Sequence, residues 1–333
     1  MKYILLIITI VFSITSTASE SFRIFISPSG SDQNEGFTYF QPIKTLKRAQ
    51  EVLKSYNPNE PIEIHIDPGT YYFQSVTWDY SNGHSITFTP TSFIKERPVF
   101  DGGGLDTWFK LRKSGGTASK LKFRYIKVQN YNTAMSFNGN RNYVSSWNSA
   151  NELYGMYFYR IGGKYSNSEY STAAVRFVNS RNNSIVNSHF VDILNTPEWS
   201  SAIHAVYIAH HSSNNEVLRN RFLNINGDPI KVRDESNYNY IADNRFYSSG
   251  KEAFYQAWYC NADERGWNLD GNNDGGCTLE SGECPSIGNE FRNNDLYGGY
   301  SGAINVFSVR EDNNYCGSLS APRLRTSGNV KYY

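Results

Sequence analysis

The segment from Ile230 to Phe246, IKVRDESNYNYIADNRF, contains one complete unit of a repeat that runs through the second half of the chain. It opens on Ile230-Lys231-Val232-Arg233, where apolar and polar residues alternate as in a strand that buries one face. An asparagine-rich turn follows at Asn237-Tyr238-Asn239, and the unit closes on an apolar pair, Ile241 and Phe246. The segment predicts a short strand, a corner and a further stretch of strand.

The apolar pair recurs upstream with the same internal spacing of five positions. The earlier copies are Leu153 and Phe158, Ile185 and Phe190, and Val217 and Phe222. Successive phenylalanines are 32, 32 and 24 residues apart, whereas the distance from the opening strand to the phenylalanine stays at 15, 16 and 16 residues. Constant internal distances with insertions of changing length are typical of a β-solenoid. A β-sandwich also has many short strands but does not predict these offsets.

Asparagines mark the corners of the repeat, at Asn182-Asn183, Asn214-Asn215 and Asn237-Tyr238-Asn239. Asparagine tolerates the left-handed backbone that such corners need, and stacked asparagine side chains can hydrogen-bond along a ladder.

The start of the chain has a different organisation. It predicts a strand over Phe22–Ser27, a helix over Ile43–Leu53 that Pro42 opens, and an alternating strand over Ile62–Ile66. The stretches ISPSGSD (26–32), PIKTL (42–46) and IHIDPGTYY (64–72) resemble the opening of secreted right-handed parallel β-helix proteins, the pectate-lyase-like superfamily. In that fold the early helix covers the open end of the core.

The resemblance covers nearly all of residues 22–310. It implies an all-β protein: a single-domain right-handed parallel β-helix over residues 19–333, with an N-terminal capping helix. The superfamily includes polysaccharide lyases, glycoside hydrolases, epimerases, tailspikes and adhesins, so the fold alone does not give the function.

The first 18 residues have the pattern of a signal peptide. Met1-Lys2-Tyr3 is a short basic region, Ile4–Ile14 is apolar, and Ser16-Thr17-Ala18 offers small residues for cleavage. The apolar run is shorter than the roughly 20 residues of a membrane span. The mature protein is therefore expected to be secreted or periplasmic, without a membrane span.

Four cysteines lie in the last quarter of the chain and suit an oxidising compartment. We favour Cys277–Cys284 as a local staple in an insertion at about 260–286, and Cys260–Cys316 as a longer clamp. A zinc site is the alternative, but the spacings lack the usual ligand motifs.

The amino-acid composition limits which classes of binding partner are expected. Lys plus Arg (32) nearly balance Asp plus Glu (31), so no global basic field favours nucleic acid. Aromatic residues make up 15% of the chain, with 25 tyrosines, which suits stacking on sugar rings. The expected partner is an anionic polysaccharide, and nothing in the sequence indicates an oligomer rather than a monomer.

The candidate chemistry lies on the outer side of the repeated strands. If Val175-Arg176-Phe177, Val206-Tyr207-Ile208 and Ile230-Lys231-Val232 stack in register, Arg176, Tyr207 and Lys231 form a polar column. Uronate polysaccharides are cleaved by β-elimination, which needs a base for the proton α to the carboxylate and a cation for the developing negative charge. Lyases similar to this chain use Lys or Arg from such a strand, which would make Lys231 the base and Arg233 the carboxylate or leaving-group partner. The leading hypothesis is therefore a polysaccharide lyase.

Further residues are expected around the column. Asp234 would orient Arg233, Arg176 and Tyr207 would bind flanking sugars or complete a proton relay, and Tyr255 would continue the column by one coil. The histidines that flank the Tyr207 strand, His204 and His210, are candidates as well. Strict alternation places His204 inward with Val206, unless the strand bends. Trp199 and either Trp258 or Trp267 would form walls that stack on sugar.

Several alternatives stay open. A surface strand carrying Lys, Arg and Asp is more often a solvated face with weak ion pairs. A hydrolase needs two acids facing one bond, for which the candidates are Asp228, Asp234, Glu235, Asp243 and Glu252. The same acids could hold calcium, so calcium is a possible cofactor. An epimerase, or a non-catalytic carbohydrate-binding or adhesin β-helix, remains possible on this sequence.

Overall fold

The computed structural model describes residues 21–93, 96–258, 283–298, 303–308 and 324–332, with only the backbone for 303–308. The predicted leader at 1–18, most of the insertion at about 260–286, and Cys260, Cys277 and Cys316 fall outside these residues, so the leader and the cysteine pairing stay predictions. Cys284 is described and is buried.

The described strands pair only in parallel and wind into coils with three faces. The first face is a ten-stranded sheet of Phe22–Ile26, Ile62–Ile66, Ile86–Pro90, Leu121–Arg124, Glu152–Tyr154, Ser184–Val186, Glu216–Leu218, Tyr240–Ala242, Glu290–Arg292 and Arg325–Ser327. The all-parallel, coiled arrangement confirms the predicted single-domain parallel β-helix.

The second and third faces form one fifteen-stranded sheet, because two long strands, Pro98–Arg112 and Lys127–Asn138, cross from one face to the other. The other strands of the second face are Gly69–Tyr72, Tyr157–Ile161, His189–Ile193, Arg221–Ile225, Arg245–Ser249, Asp295–Tyr297 and Val330–Tyr332. The other strands of the third face are Val76–Trp78, Ala173–Val178, His204–Ala209, Ile230–Arg233, Ala253–Trp258 and Ala303–Ser308. Three short strands, Thr117–Ala118, Asn148–Ser149 and Ser180–Arg181, line one corner.

The repeated phenylalanines form a stack inside the coils. Phe158, Phe190, Phe222 and Phe246 pair in register, with ring centroids 4.8, 4.9 and 4.6 Å apart. Each ring–ring contact of this kind contributes about 0.5–1.5 kcal/mol to stability, in addition to the contribution from burying apolar surface. In the next coil the stack continues with Leu296, and Phe291 pairs instead with Ile241.

The asparagine corners form the expected ladder. The side-chain amides of Asn151, Asn183, Asn215 and Asn239 each donate to the side-chain oxygen of the asparagine in the next coil, at 2.8 to 3.0 Å, ending on Asn289. These asparagines are buried, so the ladder satisfies polar groups that water does not reach. Ladder neighbours Asn239 and Asn289 are 50 residues apart rather than 24, and most of this extra length lies in the undescribed residues 259–282.

The N-terminal helix spans Leu46–Tyr56 and begins three residues later than the sequence predicts. Ile43 stays extended because it bridges Ile26, and Thr45 caps the helix by accepting from the backbone N–H of Arg48 at 3.1 Å. The buried face of the helix joins the apolar core and contacts Phe22–Ile26 and Val76–Trp78. It therefore covers one end of the core, as expected.

Two 3₁₀ turns, Gly163–Tyr165 and Pro197–Ala202, lie in the loops before the third-face strands. No helix in the described part of the chain is long and apolar enough to cross a membrane.

The third-face strands carry a bulge that strict alternation does not predict. Ala205 and Val206 are consecutive, yet both lie in the core, and both of their N–H groups donate to the carbonyl of Pro229, at 2.9 and 3.0 Å. Phe254 and Tyr255 are likewise both buried. When two adjacent residues both point inward, the alternation of inward and outward side chains is shifted by one residue on one side of the bulge. The bulge therefore places His204 on the same outer side as Tyr207, and it places Tyr255 inside.

Candidate active site

The predicted polar column exists and is longer than the sequence indicates. The strand register places Arg176 beside Tyr207 and Tyr207 beside Lys231. The same outward position in the neighbouring coils completes a line, here called the axial row, of Lys110, Ser136, Arg176, Tyr207, Lys231 and Gln256. Tyr255 does not continue the column: Gln256 holds that position, and Tyr255 packs in the core opposite Ile230.

The centre of the row opens on a cleft of about 560 Å³. The residues that line it combine cations, imidazoles and aromatic rings: Arg141, Tyr170, Thr172, Arg176, Trp199, Ala202, His204, Tyr207, His210, Lys231, Arg233 and Trp258. No described residue that lines the cleft is acidic. A cleft of this kind favours an anionic ligand.

Lys231 is the fifth of the six residues of the row and is partly exposed. Burial of its ammonium and the neighbouring Arg233 guanidinium lower the pKa of Lys231 to about 8. Its Nζ lies 4.9 Å from the centroid of the Trp258 ring and forms no ion pair with the described residues. Lys231 can therefore lose its proton near neutral pH, as a general base must.

Arg233, which follows one step along the same strand, is engaged with the protein itself. It is buried, and its Nε donates to Glu283 at 2.7 Å while a second nitrogen pairs with the other Glu283 oxygen. Its guanidinium also lies 4.1 Å from the centroid of the Trp258 ring. Burial by itself would lower the pKa of Arg233, but Tyr207 and Glu283 raise it, so this cation is permanent.

Tyr207 lies between the two cations of the column. Arg233 donates to the Tyr207 hydroxyl oxygen at 3.2 Å, and the Arg176 guanidinium lies 6.0 Å from the ring centroid. Because the hydroxyl oxygen accepts from Arg233, the hydroxyl proton points elsewhere. Tyr207 can therefore donate a proton within the cleft.

His204 borders the column on one side. It is buried, and its Nδ1 donates to the carbonyl of Asp228 at 2.6 Å. Burial and the Lys231 ammonium hold the pKa of His204 well below its usual range. The ring is neutral, and its Nε2 has no hydrogen-bond partner among the described residues. His204 can accept a hydrogen bond from a ligand in the cleft.

His210 borders the other side of the Tyr207 strand. Its Nδ1 lies 2.7 Å from Oδ2 of Asp234, and both residues are buried. Burial lowers the pKa of His210 despite the opposing effect of Asp234. Asp234 thus orients His210, whereas the sequence suggested that it would orient Arg233. The partner of Arg233 is Glu283.

The two tryptophans expected as walls, Trp199 and Trp258, both line the cleft. Trp199 is 43% exposed and stacks edge-on against Tyr170 at 5.6 Å, so two large rings face solvent beside the cations. Rings in this position can stack on sugar. Trp267, the other candidate, lies outside the described residues.

Two acids and a histidine near the cleft form the cluster that most resembles a metal site among the described residues. His210, Asp234 and Glu283 place one ligand atom each within 4.8 Å of one another. Calcium prefers six to eight oxygen ligands, but here one ligand is an imidazole, Asp234 is bonded to His210, and Glu283 is bonded to Arg233. This cluster therefore does not fit calcium.

The acids proposed for hydrolysis are also placed away from a common ligand position. Asp228 is buried and accepts from the N–H groups of Glu252 and Ala253, at 2.8 and 3.0 Å. Glu235 pairs with His211 at 3.0 Å, and Asp243 lies at an exposed corner. Two carboxyl groups facing one bond, as hydrolysis requires, are not found among the described lining residues.

Sequence reasoning missed several residues of this site. Arg141 lies in a loop outside the repeat, so the neighbouring sequence does not indicate that it lines the cleft. Glu283 lies near the end of the insertion at about 260–286, 50 residues from its partner. Lys110 could have been found by extending the register two coils toward the N-terminus, whereas counting one coil in the other direction gives Tyr255 instead of Gln256.

Comparisons with known proteins agree with this architecture. No protein-family model matches the chain, and no curated protein matches it. Among solved structures, an alginate lyase from Paenibacillus sp. str. FPU-7 is 13% identical with a TM-score of 0.57, covering 93% of this chain and 95% of that one. The pectate lyase Pel9A is 13% identical with a TM-score of 0.50, covering 84% of this chain.

The chain spans 64% of the length of the pectate lyase, somewhat under two thirds. At such identities the likeness concerns the fold and not the reaction. The coiled parallel sheets, the helix at one end and these two structural matches agree on one conclusion: the chain has a parallel β-helix fold, which it shares with these two solved structures.

Proposed function

We propose that this protein is a polysaccharide lyase that cleaves a uronate-containing polysaccharide by β-elimination. The observation that carries the proposal is the side-by-side placement of Arg176, Tyr207 and Lys231 in a cleft without described acidic lining. The three residues supply a cation for the carboxylate, a proton donor and a base, in that order along one line.

In the proposed reaction, Arg176 pairs with the carboxylate of the uronate. This side chain faces the cleft, and its Nε is buried without a hydrogen-bond partner among the described residues. An unpaired buried donor is costly, so a carboxylate at this position would relieve that cost. The pairing would also stabilise the negative charge that develops when the neighbouring carbon loses its proton.

The proton and electron movements balance within the site. The neutral amine of Lys231 takes the proton α to the carboxylate, and the electron pair of the broken C–H bond forms the new carbon–carbon double bond. The bond from the neighbouring carbon to the glycosidic oxygen breaks, and that oxygen takes the Tyr207 proton. Transfer of a proton from Lys231 to the Tyr207 phenolate restores both groups. Arg233 acts as a positioning residue, because it holds the Tyr207 oxygen and lowers the pKa of Lys231.

The first test is an absorbance assay for the unsaturated uronate product. Purified protein would be mixed with pectate, alginate and glycosaminoglycans, each with calcium and with chelator. We expect product on at least one of them, lost in Lys231→Ala. Cleavage that yields new reducing ends without unsaturation would refute elimination and favour hydrolysis. Binding without cleavage would favour a carbohydrate-binding module.

We also propose that the protein is exported and carries disulfides, on the basis of the leader at 1–18 and the four cysteines. N-terminal sequencing of the protein from the culture medium or periplasm should begin after Ala18. Peptide mapping without reduction should recover Cys277–Cys284 and Cys260–Cys316. A retained leader or reduced cysteines would contradict this.

A further inference from the structure

The axial row alternates in charge from one coil to the next. Lys110, Arg176 and Lys231 carry cations, and the coils between them present the neutral hydroxyl groups of Ser136 and Tyr207. A second row beside it repeats the pattern at both ends, with Arg112 next to Lys110 and Arg233 next to Lys231. Positive charge therefore recurs on every second coil.

The spacing of these charges follows from the fold. Neighbouring strands of a sheet lie about 4.8 Å apart, so every second coil places a cation at intervals of roughly 9.5 Å. Two linked pyranose rings of an extended glycan cover about the same length. The row thus matches a glycan that turns an anionic group toward the protein at every second sugar.

A second cavity lies beside the cleft and is lined in part by Arg112, which is two residues from Lys110 on the same strand. It measures about 440 Å³ and is lined by Arg112, Arg141 and Arg176 together with polar groups that include Asn138 and Asn140. Arg141 and Arg176 line both cavities, so the two adjoin. No described residue lining the second cavity is acidic, and neither Lys110 nor Arg112 forms an ion pair with a described residue. Such cations are available to a ligand.

We propose that Lys110 and Arg112 form a distal anion subsite, and that the substrate is a linear glycan whose carboxylates face the protein on every second residue. This inference rests on the proposed function for the class of ligand. Two kinds of glycan share this chemistry. One is an extended polyuronate with two-fold symmetry, in which alternate carboxylates face the same side. The other is an alternating polymer with a uronate in each disaccharide.

The test is the binding of oligosaccharides of defined length to the full protein in a Tyr207→Phe background, which keeps Lys231 charged and prevents consumption of the ligand. Calorimetry would compare trisaccharides, which reach from Lys231 to Arg176, with hexasaccharides, which also reach Lys110. The probes are oligogalacturonates, alginate oligosaccharides and hyaluronan oligosaccharides. A methyl-esterified oligogalacturonate serves as the uncharged control.

The variant Lys110→Gln/Arg112→Gln removes the distal subsite, and Lys122→Gln/Arg219→Gln removes the same charge from other parts of the surface. With the distal subsite intact, we expect the protein to bind the charged hexasaccharide about tenfold more tightly than the trisaccharide, because charge-assisted hydrogen bonds contribute this much. The distal variant should lose that gain and bind trisaccharides normally. The control variant should keep the gain, and thermal unfolding should show that both variants fold.

The outcomes separate this inference from the proposed reaction. If the distal variant keeps the full gain, or if the methyl-esterified hexasaccharide gains equally, the distal subsite is refuted. If hyaluronan shows the gain, the ligand is the alternating polymer; if only the homopolymers show it, the ligand is the two-fold polyuronate. A gain in binding without unsaturated product from the wild type would refute the lyase and leave the subsite standing. If none of these glycans binds, both proposals fail.

Discussion

The pH dependence of turnover tests the assignment of Lys231 most directly. With a pKa of about 8, roughly a tenth of Lys231 is neutral at pH 7, whereas an ordinary lysine is neutral in about one molecule in three thousand. The site therefore raises the concentration of active base by roughly 300-fold at neutral pH. Since the neutral amine is the active form, kcat/KM should rise about tenfold per pH unit below pH 8 and level off above it.

The matched variant is Lys231→Arg, which keeps a cation in the axial row but cannot lose its proton. We expect it to bind the glycan and to lose turnover by about 10²- to 10⁴-fold, the usual contribution of a general base. The assay is the initial rate of unsaturated product from pH 5 to pH 10 at constant ionic strength.

A different profile would identify a different base. Burial lowers the pKa values of both His204 and His210, so either imidazole would be neutral throughout the neutral range. A histidine base therefore predicts a rate that is already level above about pH 6.5. A level profile of this kind, together with substantial turnover in Lys231→Arg, would refute Lys231 as the base.

Three further results are expected. Lys231→Met should raise the free energy of unfolding at pH 7 by about 1–2 kcal/mol, because a folded-state pKa near 8 shows that the fold disfavours the charged lysine, and partial exposure weakens this effect. The gain should disappear as the pH rises from 8 to 10.5, because the folded-state lysine is then neutral. Denaturant melts that show no gain at pH 7 would contradict this expectation. Tyr207→Phe should lower kcat by about 10²- to 10⁴-fold with little change in affinity, and normal turnover would remove Tyr207 from the reaction. Asn215→Ala should lower the free energy of unfolding by about 2–4 kcal/mol and leave kcat unchanged, since it breaks the ladder on both sides; a loss below 1 kcal/mol by chemical denaturation would be too small for this role.

The fold was predictable from the sequence because each of its signals recurs. The pair Ile241 and Phe246 has counterparts in three earlier coils, and the asparagine corners repeat at the same offsets. In-register parallel coils place equal positions side by side, so Arg176, Tyr207 and Lys231 could be aligned by counting residues. The helix boundary was less accurate, because the bridge between Ile43 and Ile26 is a long-range contact that local pattern does not contain.

The finer arrangement of the site was not predictable in the same way. The bulge at Ala205 and Val206 depends on both N–H groups sharing the carbonyl of Pro229, and no alternation of residue types reveals it. For that reason counting alone placed His204 inward and Tyr255 outward. The pairing of Arg233 with Glu283 joins a strand residue to a residue near the end of the long insertion, and local sequence around Arg233 suggested Asp234 instead.

The positions that stabilise this fold and the positions that carry its proposed chemistry lie on different parts of each coil. The asparagine ladder and the phenylalanine stack are repeated, buried and internally satisfied, so each coil supports the next. The axial row has the opposite character, because Lys231 is crowded by Arg233 and Arg176 keeps a buried donor without a described partner. Unfavourable groups of this kind persist where a ligand relieves them, and the repetitive frame supplies the rigidity that holds them in place. Since the coils fix the interval between cations, the same frame that stabilises the protein would also set the spacing of charges on the glycan that we propose as its substrate.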